Sequence, residues 1–277
     1  IYPNILTGIV AAPLGKKSGH RHNIWNTQLA SLDFYDAIIV HSYPKVIKGV
    51  DQYGQMITEE KEGSSEEISF NIYKNRVLNF LEKDFPDEIK QYNHIFNKPI
   101  WITEWNLQMS KTTGNTMFQS LFVASYFLEL LSNDDLDNIL ITTYHNLGGR
   151  DYSGSIFKGD NYLEIHSTYY PLKMIGELFN LTGTIQVERQ ELTRQTIKYL
   201  IYNNAELSNI LFVNWSNNEL TSNHLITKSK FQTYYSSNLY NKADSLGQLF
   251  SEKVKLLSEN KIILKPYSLS LISFTDE

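Results

Sequence analysis

The sequence predicts an α/β portion over residues 1–181 and an all-β portion over residues 182–277. Four apolar, β-branched runs in the first portion predict strands, and stripes of apolar residues at helical spacing separate them. After Thr182 and Gly183 the texture changes to short alternating runs divided by Asn and Ser, which predicts antiparallel strands.

The first run, residues 5–10, ends at Ala12 and Pro13, and a short helical pattern follows over 25–32. The second, 37–40, ends in His41, Ser42 and Tyr43; behind it, 69–85 carries Phe70, Tyr73, Val77, Phe80 and Leu81 along one helical stripe. The third, 100–103, ends at Glu104 and precedes a helical pattern over 116–131 with Phe118, Leu121, Phe122, Ser125 and Leu128. The fourth, 139–143, ends at Tyr144, His145 and Asn146, and a helix is expected over 168–180. Near-continuous hydrophobicity indicates parallel strands buried on both faces, joined by right-handed crossovers in a doubly wound sheet or part of a barrel. Beyond residue 182 the runs 184–187, 196–202, 209–215, 232–235, 261–264 and 268–274 predict a β-sandwich.

Composition narrows the function classes. Hydrophobic residues make up 42% and aromatics 13%, ample for a core. A net charge of −5 without clustered Lys and Arg argues against a nucleic-acid partner. The absence of cysteine excludes disulfides, thiolate metal sites and a thiol nucleophile. No run has the length and apolarity of a membrane span, and no basic-then-apolar signal segment opens the chain. Because the first residue is Ile1, a segment is expected to precede it.

Chemistry gathers where strands end, since loops converge there around a shared cavity. In "KPIWITEWN", residues 98–106, Glu104 closes a buried-type strand between Trp101 and Trp105. A carboxylate held ionised beside aromatic faces suits attack on a glycosidic carbon; an ion pair at the rim of the sheet is the plainer alternative. Tyr43 is placed to donate to Glu104 from the neighbouring strand, and His41 to face a ligand. Trp25, behind His20, Arg21 and His22, suits a sugar platform or a buried anchor. Those histidines lack an accompanying carboxylate and predict no metal site. Gly148 and Gly149 do not make a phosphate loop, and Asp151, Asp160 and Glu164 are the nearby carboxylates of a long loop through Ile165.

"WITEWN" with "VHSYP" one strand earlier resembles the seventh and sixth strands of the retaining glycoside hydrolases of clan A, with arabinofuranosidase-like and xylosidase-like members most similar. "LKPYSLSLISF", residues 264–274, resembles the last strand of the β-sandwich that follows many such barrels. The resemblance implies a (β/α)8 barrel in which Glu104 is the nucleophile, Tyr43 orients it and His41 contacts the sugar. Trp25, Trp105, Asn106, Tyr144 and His145 are the further candidates for substrate binding. It implies no cofactor, a carbohydrate substrate and a secreted or periplasmic setting.

One departure bears on mechanism. The family's acid/base is the glutamate of an Asn-Glu pair ending strand four, and the only such pair here is Asn218 and Glu219, within the β portion. Four strands before the sandwich occupy about 180 residues where a whole barrel takes about 250. The chain is therefore expected to match strands five to eight, and a missing N-terminal half or a second chain is the expected partner. A binding protein without catalysis and an interaction module using exposed sheet edges are the alternatives.

Overall fold

A computed structural model describes residues 5–15, 17, 19–47, 62–150, 153–159, 163–178, 183–223, 229–243, 250–256 and 261–274. The chain divides into two units. The first comprises Ile1–Pro44, Leu78–Asn106 and Asn133–His145; the second comprises Lys45–Val77, Leu107–Ser132 and Asn146–Glu277.

The first unit is built on a parallel sheet. Strands β1 (Gly8–Val10), β2 (Ala37–Ser42), β3 (Ile100–Trp105) and β4 (Ile139–Tyr144) lie in the order β1-β2-β3-β4. Helix α1 (Arg21–Ala30) follows β1. Helix α2 (Glu66–Asn79), most of which belongs to the second unit, passes through a π-helical turn, Phe80–Asp84, into α3 (Phe85–Phe96), which leads to β3. The sequence predicts one helix ending at Phe85. Pro86 withholds the amide that would continue an α ladder, and the Phe85 amide donates instead to the Phe80 carbonyl, so the helix widens and continues. It stops at Asn97, which adopts the left-handed conformation at φ 47° and donates its amide to the Asn93 carbonyl.

Ala37, Ile38, Val40, Ile100 and Ile102 are buried, as are Leu29 of α1 and Phe85, Ile89, Tyr92 and Phe96 of α3. Only the two central strands meet the expectation of burial. Val10 on β1 and Leu140 and Ile141 on β4 are exposed, because each outer strand pairs on one side only among the described residues.

The second unit holds helix α4 (Met117–Ser132), the short strands β5 (Gly148–Gly149), β6 (Phe157–Gly159) and β7 (Leu163–Ile165), and helix α5 (Tyr169–Leu178). Eight strands follow: β8 (Ile185–Thr193), β9 (Thr196–Asn203), β10 (Glu206–Asn214), β11 (Leu220–Asn223), β12 (Ser229–Tyr235), β13 (Phe250–Leu256), β14 (Lys261–Leu264) and β15 (Ser268–Phe274). A six-stranded antiparallel sheet has the order β13-β12-β15-β10-β9-β8, and β11 pairs with β14. Leu200, Ile210, Phe212, Phe231 and Ile272 of the large sheet pack with Ile262 and Leu264 of β14 in one core. The alternate residues Tyr199, Ile201, Leu211, Val213 and Leu271 are also buried, so this sheet is covered on both faces.

Polar anchors hold α4 within this unit. Trp215 Nε1 donates to Ser125 Oγ at 3.0 Å. Glu129 Oε1 accepts from Arg189 Nε at 2.8 Å and from the Tyr199 hydroxyl at 3.1 Å. Where the sequence predicts a plain loop before Ile165, β5, β6 and β7 form a small sheet, with Lys158 opposite Glu164.

Candidate functional site

The carboxyl ends of β2, β3 and β4 bring His41, Tyr43, Glu104, Tyr144 and His145 together within the first unit. A β-bulge aims the central residue. His41 pairs with Glu104 although Val40 pairs with Ile102, so Thr103 is an extra residue in β3. The same residue disturbs the register with β4, where the Thr143 hydroxyl donates to the Thr103 carbonyl. A bulge of this kind turns the side chain that follows it out of the regular alternation. Glu104 is consequently part exposed, whereas its neighbours Ile102 and Trp105 are buried.

The Tyr43 hydroxyl donates to Glu104 Oε2 at 2.7 Å, and His41 Nδ1 lies 3.5 Å from the same oxygen. Burial pushes the Tyr43 hydroxyl well above its ordinary pKa, and the hydrogen bond to Glu104 and that group's charge push it further. Tyr43 therefore stays protonated at neutral pH and acts as a donor. Its ring stands edge-on to His145 at 5.9 Å.

Beneath this group lies a supporting layer. Trp105 is 1% exposed and packs edge-on against Tyr144 at 5.1 Å, so its ring supports the site from below. Asn106 is equally buried; its amide donates to the Tyr144 hydroxyl at 3.1 Å and to the His145 carbonyl, and its backbone amide donates to the Ser42 carbonyl. Asn106 thus ties three strand ends together. Tyr144 is half-buried and His145 exposed.

Trp25 is 52% exposed on α1. His20 caps that helix, its Nδ1 accepting from the His22 amide. Sequence reasoning missed Asn26, fully buried on α1, whose side chain pairs with both the amide and the carbonyl of Ala12 and so fixes the chain leaving β1. An amide copying a backbone pair in this way has no distinguishing spacing. Glu164 lies in the second unit on β7, paired with Lys158 at 3.6 Å, while Asp151 and Asp160 fall outside the described residues. No group of three or more His, Asp or Glu able to hold a metal occurs among the described residues. Nor is any described helix long and apolar enough to cross a membrane.

Among the described residues that terminate the four parallel strands, Glu104 is the only carboxylate. A glutamate with a tyrosine donor and an adjacent imidazole can act as a nucleophile or as an electrostatic stabiliser. It cannot by itself also protonate a leaving group.

No protein-family model and no curated protein matches the chain. Several solved structures do match it. A GH51 arabinofuranosidase from Xanthomonas axonopodis pv. citri superposes with a TM-score of 0.63 at 10% identity, over 97% of this chain and 57% of that one. AbfB, a family 51 α-L-arabinofuranosidase from Bifidobacterium longum, gives 0.61 at 10% identity, over 97% and 59%. A 4-O-α-L-rhamnosyl-β-D-glucuronidase from Fusarium oxysporum 12S gives 0.53 at 14%, over 87% and 54%. The chain therefore spans less than two thirds of the proteins it resembles. Its fold is similar to that of arabinofuranosidases and other glycoside hydrolases of clan A, as its motifs indicate.

Proposed function

We propose that the chain is the C-terminal part of a retaining glycoside hydrolase, with residues 1–181 supplying half of a (β/α)8 barrel and residues 182–277 a β-sandwich. The observation that carries this reading is the Tyr43 hydroxyl held 2.7 Å from Glu104 at the carboxyl end of a parallel strand. Glu104 attacks the anomeric carbon and forms a covalent glycosyl-enzyme; water then displaces the sugar. Tyr43 orients the carboxylate, and His41 contacts the sugar. Trp25 provides a ring at the rim, while Tyr144 and His145 line the neighbouring subsite over Trp105 and Asn106.

A retaining mechanism needs a second carboxyl group about 5–5.5 Å from the first to protonate the leaving oxygen. The described strand ends supply none beyond Glu104. The acid/base comes from a further segment of the same polypeptide or from a second chain that pairs with β1 and β4. The lengths of the arabinofuranosidase neighbours, of which this chain spans 57–59%, leave room for such a half.

The test combines intact mass with hydrolysis. The protein from its natural source should weigh more than its 277 residues account for, or co-purify with a second chain, and should cleave at least one of a panel of aryl glycosides. Glu104→Gln should lower that rate at least ~10³-fold, the scale of losing a nucleophile. A protein of 277 residues that binds sugars without cleaving any would make it a carbohydrate-binding protein instead.

A further inference from the structure

The second unit contains a cavity of about 310 Å³ that shares no residue with the Glu104 site. Phe70, Tyr240 and Tyr267 supply aromatic faces, and Asn71, Asn217 and Glu67 supply hydrogen-bonding groups around it. We infer that this cavity is a binding site for a neutral sugar residue, separate from the glycosidase reading and not dependent on it.

Its walls are built rather than incidental. Tyr267 adopts the left-handed conformation at φ 41°, a strained choice for a bulky residue, and is held there by backbone hydrogen bonds to Ser216 and from Ser236. It is 5% exposed overall, and its hydroxyl, which makes no hydrogen bond among the described residues, is not itself buried. The side-chain amides of exposed Asn217 and part-exposed Asn71, and the hydroxyl of part-exposed Tyr240, make none either. The lining segment around Leu239 and Tyr240 is tied to α4, whose first amides, those of Met117 and Phe118, donate to the Asn241 and Leu239 carbonyls at 2.9 Å. A strained aromatic wall held in place beside hydrogen-bonding groups open to exchange points to a ligand.

The lining also selects the ligand class. Primary amides each offer paired donors and acceptors, matching adjacent sugar hydroxyls, while tyrosine and phenylalanine rings cover C–H faces. No cation is among the lining residues, and Glu67 makes the cavity unfavourable for phosphate or a uronate. The Lys74 ammonium, 6.0 Å from the Tyr267 ring, is already engaged by the Gln195 side chain and the Trp215 carbonyl. The volume is at the lower end for ligand pockets, about right for a single sugar ring.

Equilibrium binding on the full chain tests this. D-xylose, L-arabinose and D-galactose are titrated, with D-glucuronate as the charged comparison. At least one neutral sugar should bind, with glucuronate at least about five-fold weaker. Asn71→Ala with Asn217→Ala should weaken that sugar at least about five-fold, the worth of one hydrogen bond or more. Tyr240→Phe, which removes only a hydroxyl, should give a smaller loss in the same direction. Absence of neutral-sugar binding overturns the inference, as does binding that survives the Asn71/Asn217 variant.

Discussion

The Tyr43 hydroxyl and Glu104 carboxylate, 2.7 Å apart, are the pair on which the proposed chemistry turns, and each residue has a separable consequence. Tyr43→Phe removes one hydrogen bond to a charged group, so kcat on an aryl glycoside should fall about 10- to 100-fold while KM changes little. The raised pKa of Tyr43 also bears on stability. Below its ordinary value of 10.0 the group is protonated in both folded and unfolded chains; above it the unfolded chain loses the proton first. Stability contributed in this way is fully present below pH 10 and is lost as pH rises toward the folded value. Buried Tyr92, Tyr199 and Tyr234 are raised too, each chiefly by burial. The urea midpoint should therefore drop between about pH 9 and about pH 11, and Tyr92→Phe should make the drop shallower. The meeting of Glu104, His41 and Tyr43 was legible in the sequence because neighbouring parallel strands end at these residues. The bulge at Thr103 was not, since one extra residue in a strand leaves the apolar pattern intact. The parts of Trp105 and Asn106 were also hidden, because burial beneath a site cannot be told from exposure within it by spacing.

Among the elements, α4 and the six-stranded sheet depend on a small polar cluster inside an otherwise apolar contact. Glu129 is 8% exposed at its side chain and bonded to Arg189 and Tyr199. Arg189→Met should destabilise by about 2–3 kcal/mol, less than the roughly 3–5 kcal/mol of a fully buried pair because Arg189 is itself 27% exposed. Phe212→Ala, in the core shared with Ile262 and Leu264, should cost about 3–5 kcal/mol by cavity formation. Urea unfolding monitored by tryptophan fluorescence measures both. The elements that sequence reading missed have physical explanations. Pro86 looks like a helix stop, but the π-helical turn absorbs it and α3 follows. Strand β13 escaped notice because "FSEKVKL" intersperses Glu252, Lys253 and Lys255 among its apolar residues, a composition that suits a strand at a sheet's edge.

Taken as one polypeptide, the chain carries a parallel sheet that leaves β1 and β4 each with one open side among the described residues, and Val10, Leu140 and Ile141 exposed along them. Unpaired strands with exposed apolar side chains recruit further chains. The 277-residue chain alone should therefore self-associate in size-exclusion chromatography, and Leu140→Lys should shift it toward monomer. If a further half completes the sheet as proposed, the same substitution should instead lower the activity of the completed enzyme, because that half needs the β4 edge. The alternation of strands and helices and the antiparallel second portion were legible because hydrophobic period and turn residues report them directly. The grouping of residues 107–132 with the later strands was not, since α4 reads as one more crossover helix until its buried polar contacts are seen.

If Glu104 is the nucleophile of a retaining hydrolase, covalent trapping will mark it. The natural-length protein is incubated with 2-deoxy-2-fluoro glycosyl fluorides of arabinofuranose and xylose, digested and mapped by mass spectrometry. The expected result is a fluoroglycosyl adduct on the peptide containing residues 98–106, at Glu104, formed more slowly in Tyr43→Phe. An active enzyme labelled at another carboxylate, or one that inverts configuration and forms no adduct, would contradict that role.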